Sequence, residues 1–453
     1  MIFTHRTNRC TFFLSIVLAV IATCFLAERA QAQLGLGFRS SVGGVKVDVD
    51  GVLSNPDVSE AKELQAAWQA GLQEIPADLQ QPADLRFVSL RRLDAEIARA
   101  NQEGKPLPDA VRYLAGLQRV RYVLVYPEQH DIVLAGPAEG WRADAVGNVV
   151  GANSRRPVLM LEDLMVALRA AETSNTTGIS CSIDPTPEGL QRVQQIAAQV
   201  ANEHNPQVAA REDEEALGLQ TITVQGVPET SHFARVLVAA DFRMKRLGMN
   251  FEPAPVDGLP SYLTMLGHGR GLQSVMPRWW LAPNYEPLRR DKDSMVWEIR
   301  GQGVKCMSEQ DMMTAGGGRD QHTGKSDPIA QKWAENFTTK FEDLAREDST
   351  FGQLRNVMDL AVVSALMTKE GLSQFAGLQI PQLLGGQSLD EYPAPRHVAS
   401  QASLLKKGTG WVISVSGGVQ IFPWRVADHS EVTADVAAAR PTATSPSTNW
   451  WWQ

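Results

Sequence analysis

Short runs of β-branched and aromatic residues alternate with longer stretches whose apolar residues recur at helical spacing, from Val45 to about residue 425, with no internal repeat. A helix stripe and a half-apolar strand each need a partner surface. A chain that mixes them this often is expected to fold as α/β or α+β, with helices packed on mixed sheets. Its 453 residues exceed what one hydrophobic core usually serves, so two domains are expected.

The first would span residues 33–172. Residues 45–53 read as a strand, and Ala61, Leu64, Trp68 and Leu72 as the inner face of a helix opened by Asp57 and Glu60. Ser89 caps a helix with Leu90, Leu93 and Ile97 inward, and Pro108 opens another. Residues 120–126 and 131–135 flank Pro127-Glu128-Gln129-His130 as a hairpin. A small polar stretch, residues 172–177, marks the boundary.

The second domain, residues 173–425, begins with a strand at 179–183 and a helix capped by Thr186 with Pro187 at its first position. A strand at 221–224 precedes a helix capped by Ser231, with Gly248 where a left-handed C-cap belongs. Asp327-Pro328 opens the clearest helix, with Ile329, Trp333, Phe337, Phe341 and Leu344 on one stripe. Leu354, Val357, Met358, Ala361, Val362 and Ala365 belong to a further helix, buried by its apolar length. Residues 278–281 and 295–300 are predicted to pair around the charged turn 290–293 as a Trp-rich hairpin, and Gly417-Gly418 to turn a second hairpin. Residues 426–453, rich in Ala, Thr, Ser and Pro, are expected to be a disordered tail.

The N-terminus reads differently. His5, Arg6 and Arg9 form a basic start, residues 12–26 are apolar apart from Ser15 and Thr23, and Ala30-Gln31-Ala32 puts small residues where a signal peptidase reads them. Residues 1–32 are therefore read as a cleavable secretory signal, with Gln33 opening an exported chain of the periplasm, envelope or medium. A retained anchor would need roughly 20 apolar residues, and Glu28 and Arg29 cut the run short; Thr23 and Phe25-Leu26 disfavour a lipid anchor on Cys24. No stable membrane insertion is expected after cleavage. The net charge of −8 becomes more negative once the signal leaves, and a chain without clustered Lys and Arg has no electrostatic footprint for nucleic acid. Cys10 and Cys24 leave with the signal. Cys181 and Cys306 remain, a disulfide candidate in an oxidising compartment, with two buried thiols as the alternative.

Motifs that carry chemistry are thin. Val47-Asp48-Val49-Asp50-Gly51 resembles the nucleophile motif of the haloacid-dehalogenase superfamily, but the lysine and paired acids that such chemistry needs have no counterpart, and an Asp-Gly turn is the plainer reading. Gly316-Gly317-Gly318 with Thr323-Gly324-Lys325-Ser326 misses phosphate-loop spacing, because the required first glycine falls on Arg319. Ser403-Leu404-Leu405-Lys406 lacks the partner motifs of penicillin-recognising enzymes. Scattered histidines and no paired cysteines point to no metal and no cofactor.

The most distinctive stretch is Arg278-Trp279-Trp280-Leu281-Ala282-Pro283-Asn284-Tyr285, followed by Val296-Trp297-Glu298-Ile299-Arg300. Neighbouring residues on a strand point to opposite faces, so Trp279 and Trp280 are both core only in a sheet covered on both sides. An exposed indole beside arginine stacks well on a sugar, a peptide or a partner protein. The candidate binding residues are Arg278, Trp279, Trp280, Tyr285, Trp297 and Arg300, and the expected partner is an envelope protein or a polysaccharide. The competing expectation is an extracytoplasmic hydrolase that gathers carboxylates or a Ser/His pair from distant positions, with Asp48, Asp50, Asp184, Glu298 and His268 as candidates.

Cys181-Ser182-Ile183-Asp184-Pro185-Thr186, residues 233–247, residues 278–285, residues 297–305 and Phe351-Gly352-Gln353-Leu354-Arg355-Asn356 resemble a family of secreted planctomycete proteins of unknown function. The resemblance spans roughly residues 40–425. It implies a bacterial envelope setting in which the sequons at Asn175 and Asn336 stay unglycosylated, and it brings no catalytic residues.

Overall fold

The computed structural model describes residues 41–42, 44–55, 58–202, 205–266, 275–313, 319–320, 327–385, 390–401, 416–441 and 449–453. The signal at 1–32, Asp57, His268, the glycine-lysine segment at 316–318 and 323–326, and the Ser-x-x-Lys at 403–406 lie outside these residues. The fold is α+β. Among the described residues its larger sheet has ten strands, in the order Ser41–Val42, Val45–Val47, Val52–Ser54, His397–Ala399, Leu219–Gln225, Ile179–Asp184, Ser416–Ile421, Val275–Asn284, Gly303–Met313 and Arg319–Asp320. The smaller has seven, in the order Ser430–Val432, Leu288–Arg290, Val296–Glu298, Tyr122–Tyr126, Asp131–Ala138, Ala83–Ser89 and Trp451–Trp452. A two-stranded ribbon, Trp141–Ala143 with Val149–Gly151, stands apart from both.

The helix Ser349–Lys369 runs through the interior. Thr350 to Met367 are all buried, which follows from a sequence apolar on every side rather than along one stripe. It packs against the helices Leu161–Ala170, His232–Gly248 and Pro423–Ala427 and against the strand Gly303–Met313. Buried polar side chains on such a helix must find partners. Asp359, fully buried, accepts from Arg119 Nε at 2.9 Å, Arg119 Nη2 at 3.0 Å and the Tyr285 hydroxyl at 2.7 Å. Arg119 also donates to the Gly301 carbonyl at 3.0 Å, and Asn356 Nδ2 to the Pro157 carbonyl at 2.9 Å. Loops that lead into the smaller sheet are thus fastened to the helix that supports the larger one.

Several local expectations hold. Ser89 Oγ accepts from Arg92 N, Ser231 Oγ from Ala234 N and Asp327 Oδ2 from Ala330 N, each capping its helix. The hairpin Tyr122–Tyr126 with Asp131–Ala138 closes at Tyr126 opposite Asp131. Other expectations change. Residues 45–53 form two short strands rather than one, because Asp48 Oδ1 accepts from Asp50 N and Val52 N and Gly51 takes a φ of 81°, which turns the chain. Gly248 stays helical: a Cβ there would come within 2.5 Å of the Trp279 ring, so close packing is what requires glycine.

The Trp-rich hairpin does not form. Val275–Asn284 pairs with Gly303–Met313 in the larger sheet, whereas Val296–Glu298 pairs with Leu288–Arg290 in the smaller. Gly417 and Gly418 lie inside the strand Ser416–Ile421 rather than in a turn. Each sheet draws strands from both sides of residue 172, and the C-terminal stretch supplies Ser430–Val432 and Trp451–Trp452 to the smaller sheet. Trp452 stacks on Phe87 at 5.2 Å. Asp359→Ala, which strands the Arg119 guanidinium, is expected to destabilise the protein by about 3–5 kcal/mol in urea denaturation; Tyr285→Phe, which removes one hydrogen bond, should cost about 1 kcal/mol.

Candidate functional site

Strand alternation in the larger sheet separates a helix-covered face from an open one. On the covered face Trp279 is fully buried, with ring centroids 4.2 Å from Trp333 and 5.4 Å from Tyr262. Trp280, the next residue, therefore points to the other face and is half-buried. The Arg278 guanidinium lies 4.1 Å from the Trp280 ring centroid and covers one side of the indole.

The register assembles the rest of the open face. Thr223 stands opposite Ser182, Ser182 opposite Gly418, Gly418 opposite Trp280, and Trp280 opposite Met307, a row across five strands. Thr221 opposite Asp184 and Gln225 opposite Ser180 flank this row. The strand Leu219–Gln225 alternates exposed and buried residues, as an antiparallel strand with one wet face should, and Met307 is 47% exposed. A Cβ on Gly418 would lie 1.9 Å from the Cys181 carbonyl oxygen, so the position admits only glycine. With no side chain at Gly418, none stands in the row between Ser182 and Trp280.

The covered side holds these strands together. Lys245 Nζ, on the helix His232–Gly248, donates to the carbonyls of Ile183 at 2.8 Å and Gly417 at 3.2 Å and pairs with Asp241 at 3.0 Å. One ammonium group thereby ties two adjacent strands from beneath. Burial pushes the Asp241 carboxyl up to about 7 against the pull of Lys245.

Cys181 and Cys306 are both buried free thiols, not a disulfide. Cys181 stands opposite Val419, Val419 opposite Leu281 and Leu281 opposite Cys306. Three strand spacings put them about 14 Å apart, beyond the roughly 7 Å that a disulfide spans. Burial raises both thiols well above their ordinary range, which makes them poor nucleophiles.

Of the six expected binding residues, only Arg278 and Trp280 share a contact on one face. The chain leaves the larger sheet at Asn284 and joins the smaller at Leu288, which separates the others. Tyr285 belongs to the Asp359 network, and Trp297 is fully buried with its indole N–H donating to the Ser294 carbonyl. Arg300 pairs with Glu286 and Glu431 beside a cleft of about 530 Å³, where Arg119, Arg121 and Glu298 also lie. The described hydrolase candidates do not converge. Asp48 and Asp50 occupy an exposed turn at the start of the larger sheet, Asp184 its open face, and Glu298 the smaller sheet.

A different acidic cluster does converge, one that no local motif announces because its members are distant in sequence. His232 Nδ1 lies 2.9 Å from Asp163 Oδ2, Tyr392 donates to Glu162 at 3.0 Å, and Arg112 pairs with Asp390 at 3.0 Å. Burial alone would lower the His232 pKa, but the Asp163 charge and hydrogen bond outweigh it and push it up to about 9. Burial raises Glu162 to about 7. A histidine protonated at neutral pH is no general base, and the neighbouring Ser231 hydroxyl already donates to the Pro228 carbonyl. The cluster reads as a buried electrostatic node.

A family model described as "Protein of unknown function (DUF1598)" matches residues 181–262, which takes in most of the strand Ile179–Asp184, the strand Leu219–Gln225 and the helix beneath them. No curated protein and no solved structure matches the chain. Among the described residues no helix is long and apolar enough to cross a membrane.

A histidine whose folded pKa is raised stabilises the fold fully below its unfolded value of about 6.5, and that stability is lost as pH rises through the folded value. The stability gap between the natural protein and His232→Gln, from urea denaturation, should therefore shrink by a few kcal/mol between pH 6.5 and about 9.

Proposed function

We propose that this is an exported, non-catalytic binding protein of the bacterial envelope, and that the open face of its larger sheet holds a neutral polysaccharide chain. The observation that carries this reading is the half-buried Trp280 indole, propped from one side by Arg278, in a row with Gly418, Ser182 and Thr223 on the open face. A sugar ring offers a C–H face that stacks on an indole and hydroxyls that exchange hydrogen bonds with neighbouring polar groups. Ser180, Ser182, Thr221, Thr223, Gln225 and Gln420 supply such groups along the same face.

A protein partner fits this surface less well. Stable protein interfaces have an apolar, aromatic-rich centre, whereas Trp280 and Met307 are set among hydroxyls and amides. The residues of the signal segment and the likeness to secreted planctomycete proteins support an envelope address.

The test uses the secreted chain, expected to begin at Gln33, titrated calorimetrically with cellohexaose and chitohexaose. One of these oligosaccharides should bind, and Trp280→Ala should weaken binding by about tenfold or more, roughly 1.4 kcal/mol, with an unchanged circular dichroism spectrum. Binding that is indifferent to Trp280→Ala would sink the assignment of this face.

A further inference from the structure

We infer that a second site, independent of the open sheet face, takes a multiply charged oxyanion ligand. It is a cleft of about 810 Å³ bounded by the helix Val58–Gly71, the ribbon Trp141–Ala143 with Val149–Gly151, and the start of the interior helix Ser349–Lys369. Five cationic side chains line it, and they fall into two groups. Arg243 is neutralised by Glu252 and by Asp348 at 2.8 Å, and Arg346 by Asp343 at 3.1 Å. Lys62, Arg142 and Arg155 have no carboxylate partner among the described residues.

The acids of the cleft are mostly occupied. Asp144 accepts from the backbone N–H groups of Val146 and Asn148, from Asn148 Nδ2 and from Ser349 Oγ. Asp348 caps Thr350 N while holding Arg243. Glu252 holds Arg243, Arg246 and Asn55 Nδ2. Glu347 is the remaining acid in the lining. Among the described residues the lining thus holds three cations without a carboxylate partner, Lys62, Arg142 and Arg155, against two carboxylates without a cation partner, Asp144 and Glu347, an excess of one positive charge in a chain whose net charge is −8.

The backbone supports the assignment. Arg155 holds a φ of 60°, a left-handed conformation that non-glycine residues seldom adopt, in a tight turn closed by Arg155 N donating to Gly151 O at 3.2 Å. That turn carries an exposed guanidinium at the cleft. Arg142 is half-buried and makes only long contacts, Nε to the Ala152 carbonyl at 3.4 Å and Nη1 to the Ala143 carbonyl at 3.5 Å, which leaves the Nη1–Nη2 edge open to an oxyanion. Three separate cations in a cleft of this size fit a ligand with several anionic groups, be they carboxylate, sulfate or phosphate.

The full secreted chain is titrated with three probes, trigalacturonate, a heparin-derived tetrasaccharide and tripolyphosphate, at low and at physiological salt. At least one should bind at low salt and weaken as salt rises, and the one that binds identifies the anionic group. Arg142→Ala/Arg155→Ala and, separately, the exposed-site variant Lys62→Glu should each lose fivefold or more in affinity. Trp280→Ala should leave it unchanged, so this result and the oligosaccharide result stand or fall separately. If none of the probes binds, or if either variant loses less than fivefold, the site is overturned.

Discussion

Asp359 sits at the middle of a helix with no exposed side, and its carboxylate is satisfied by three donors, two from Arg119 and one from Tyr285. A carboxylate buried this deeply is tolerable only when fully paired. Its partners come from segments far apart in the chain: Arg119 precedes the strand Tyr122–Tyr126, and Tyr285 lies where the chain leaves one sheet for the other. One ion pair with one hydrogen bond thus sets the position of both sheets about a common helix. This is why strands from each half of the chain can serve each sheet, and why residue 172 does not separate them.

The same helix-packed interior decides what the open face displays. Trp279 is drawn inward by the space that Gly248 leaves and by Trp333, and strand geometry then turns Trp280 outward. Lys245 anchors the next two strands of the sheet from below, and Gly417 and Gly418 let the strand Ser416–Ile421 close up on both its neighbours. Scaffold and proposed binding surface are therefore adjacent residues of one strand, with the buried indole specifying where the other one stands.

Much of this was legible in the amino-acid order wherever the cause is local. The caps at Ser89, Ser231 and Asp327 follow from side chains that accept from nearby backbone N–H groups, and the hairpin at 127–130 follows from turn chemistry. The opposite facing of Trp279 and Trp280 follows from strand periodicity alone. Strand partners were not legible. Residues 278–281 and 295–300 are close in sequence and share aromatic and basic character, yet the crossing between sheets at 284–288 sends them apart, and pairing energy is read across the sheet rather than along the chain. The His232–Asp163 pair, 69 residues apart, and the cation cleft depend on tertiary placement and leave no spacing to detect. The C-terminal stretch has the composition of a solvated tail, but a few aromatic residues at its end, Trp450 to Trp452, have a sheet edge and core to pack on.

Trp279 belongs to the scaffold, and Trp280 is the proposed ligand-facing residue. Limited oxidation of the folded protein with N-bromosuccinimide, mapped by tandem mass spectrometry, reads the two indoles separately. The account predicts that Trp280 is oxidised while Trp279 stays intact, and that the bound oligosaccharide slows oxidation of Trp280. Oxidation of Trp279 at the same rate as Trp280, or a Trp280 that resists the reagent as fully as Trp279 does, would contradict it.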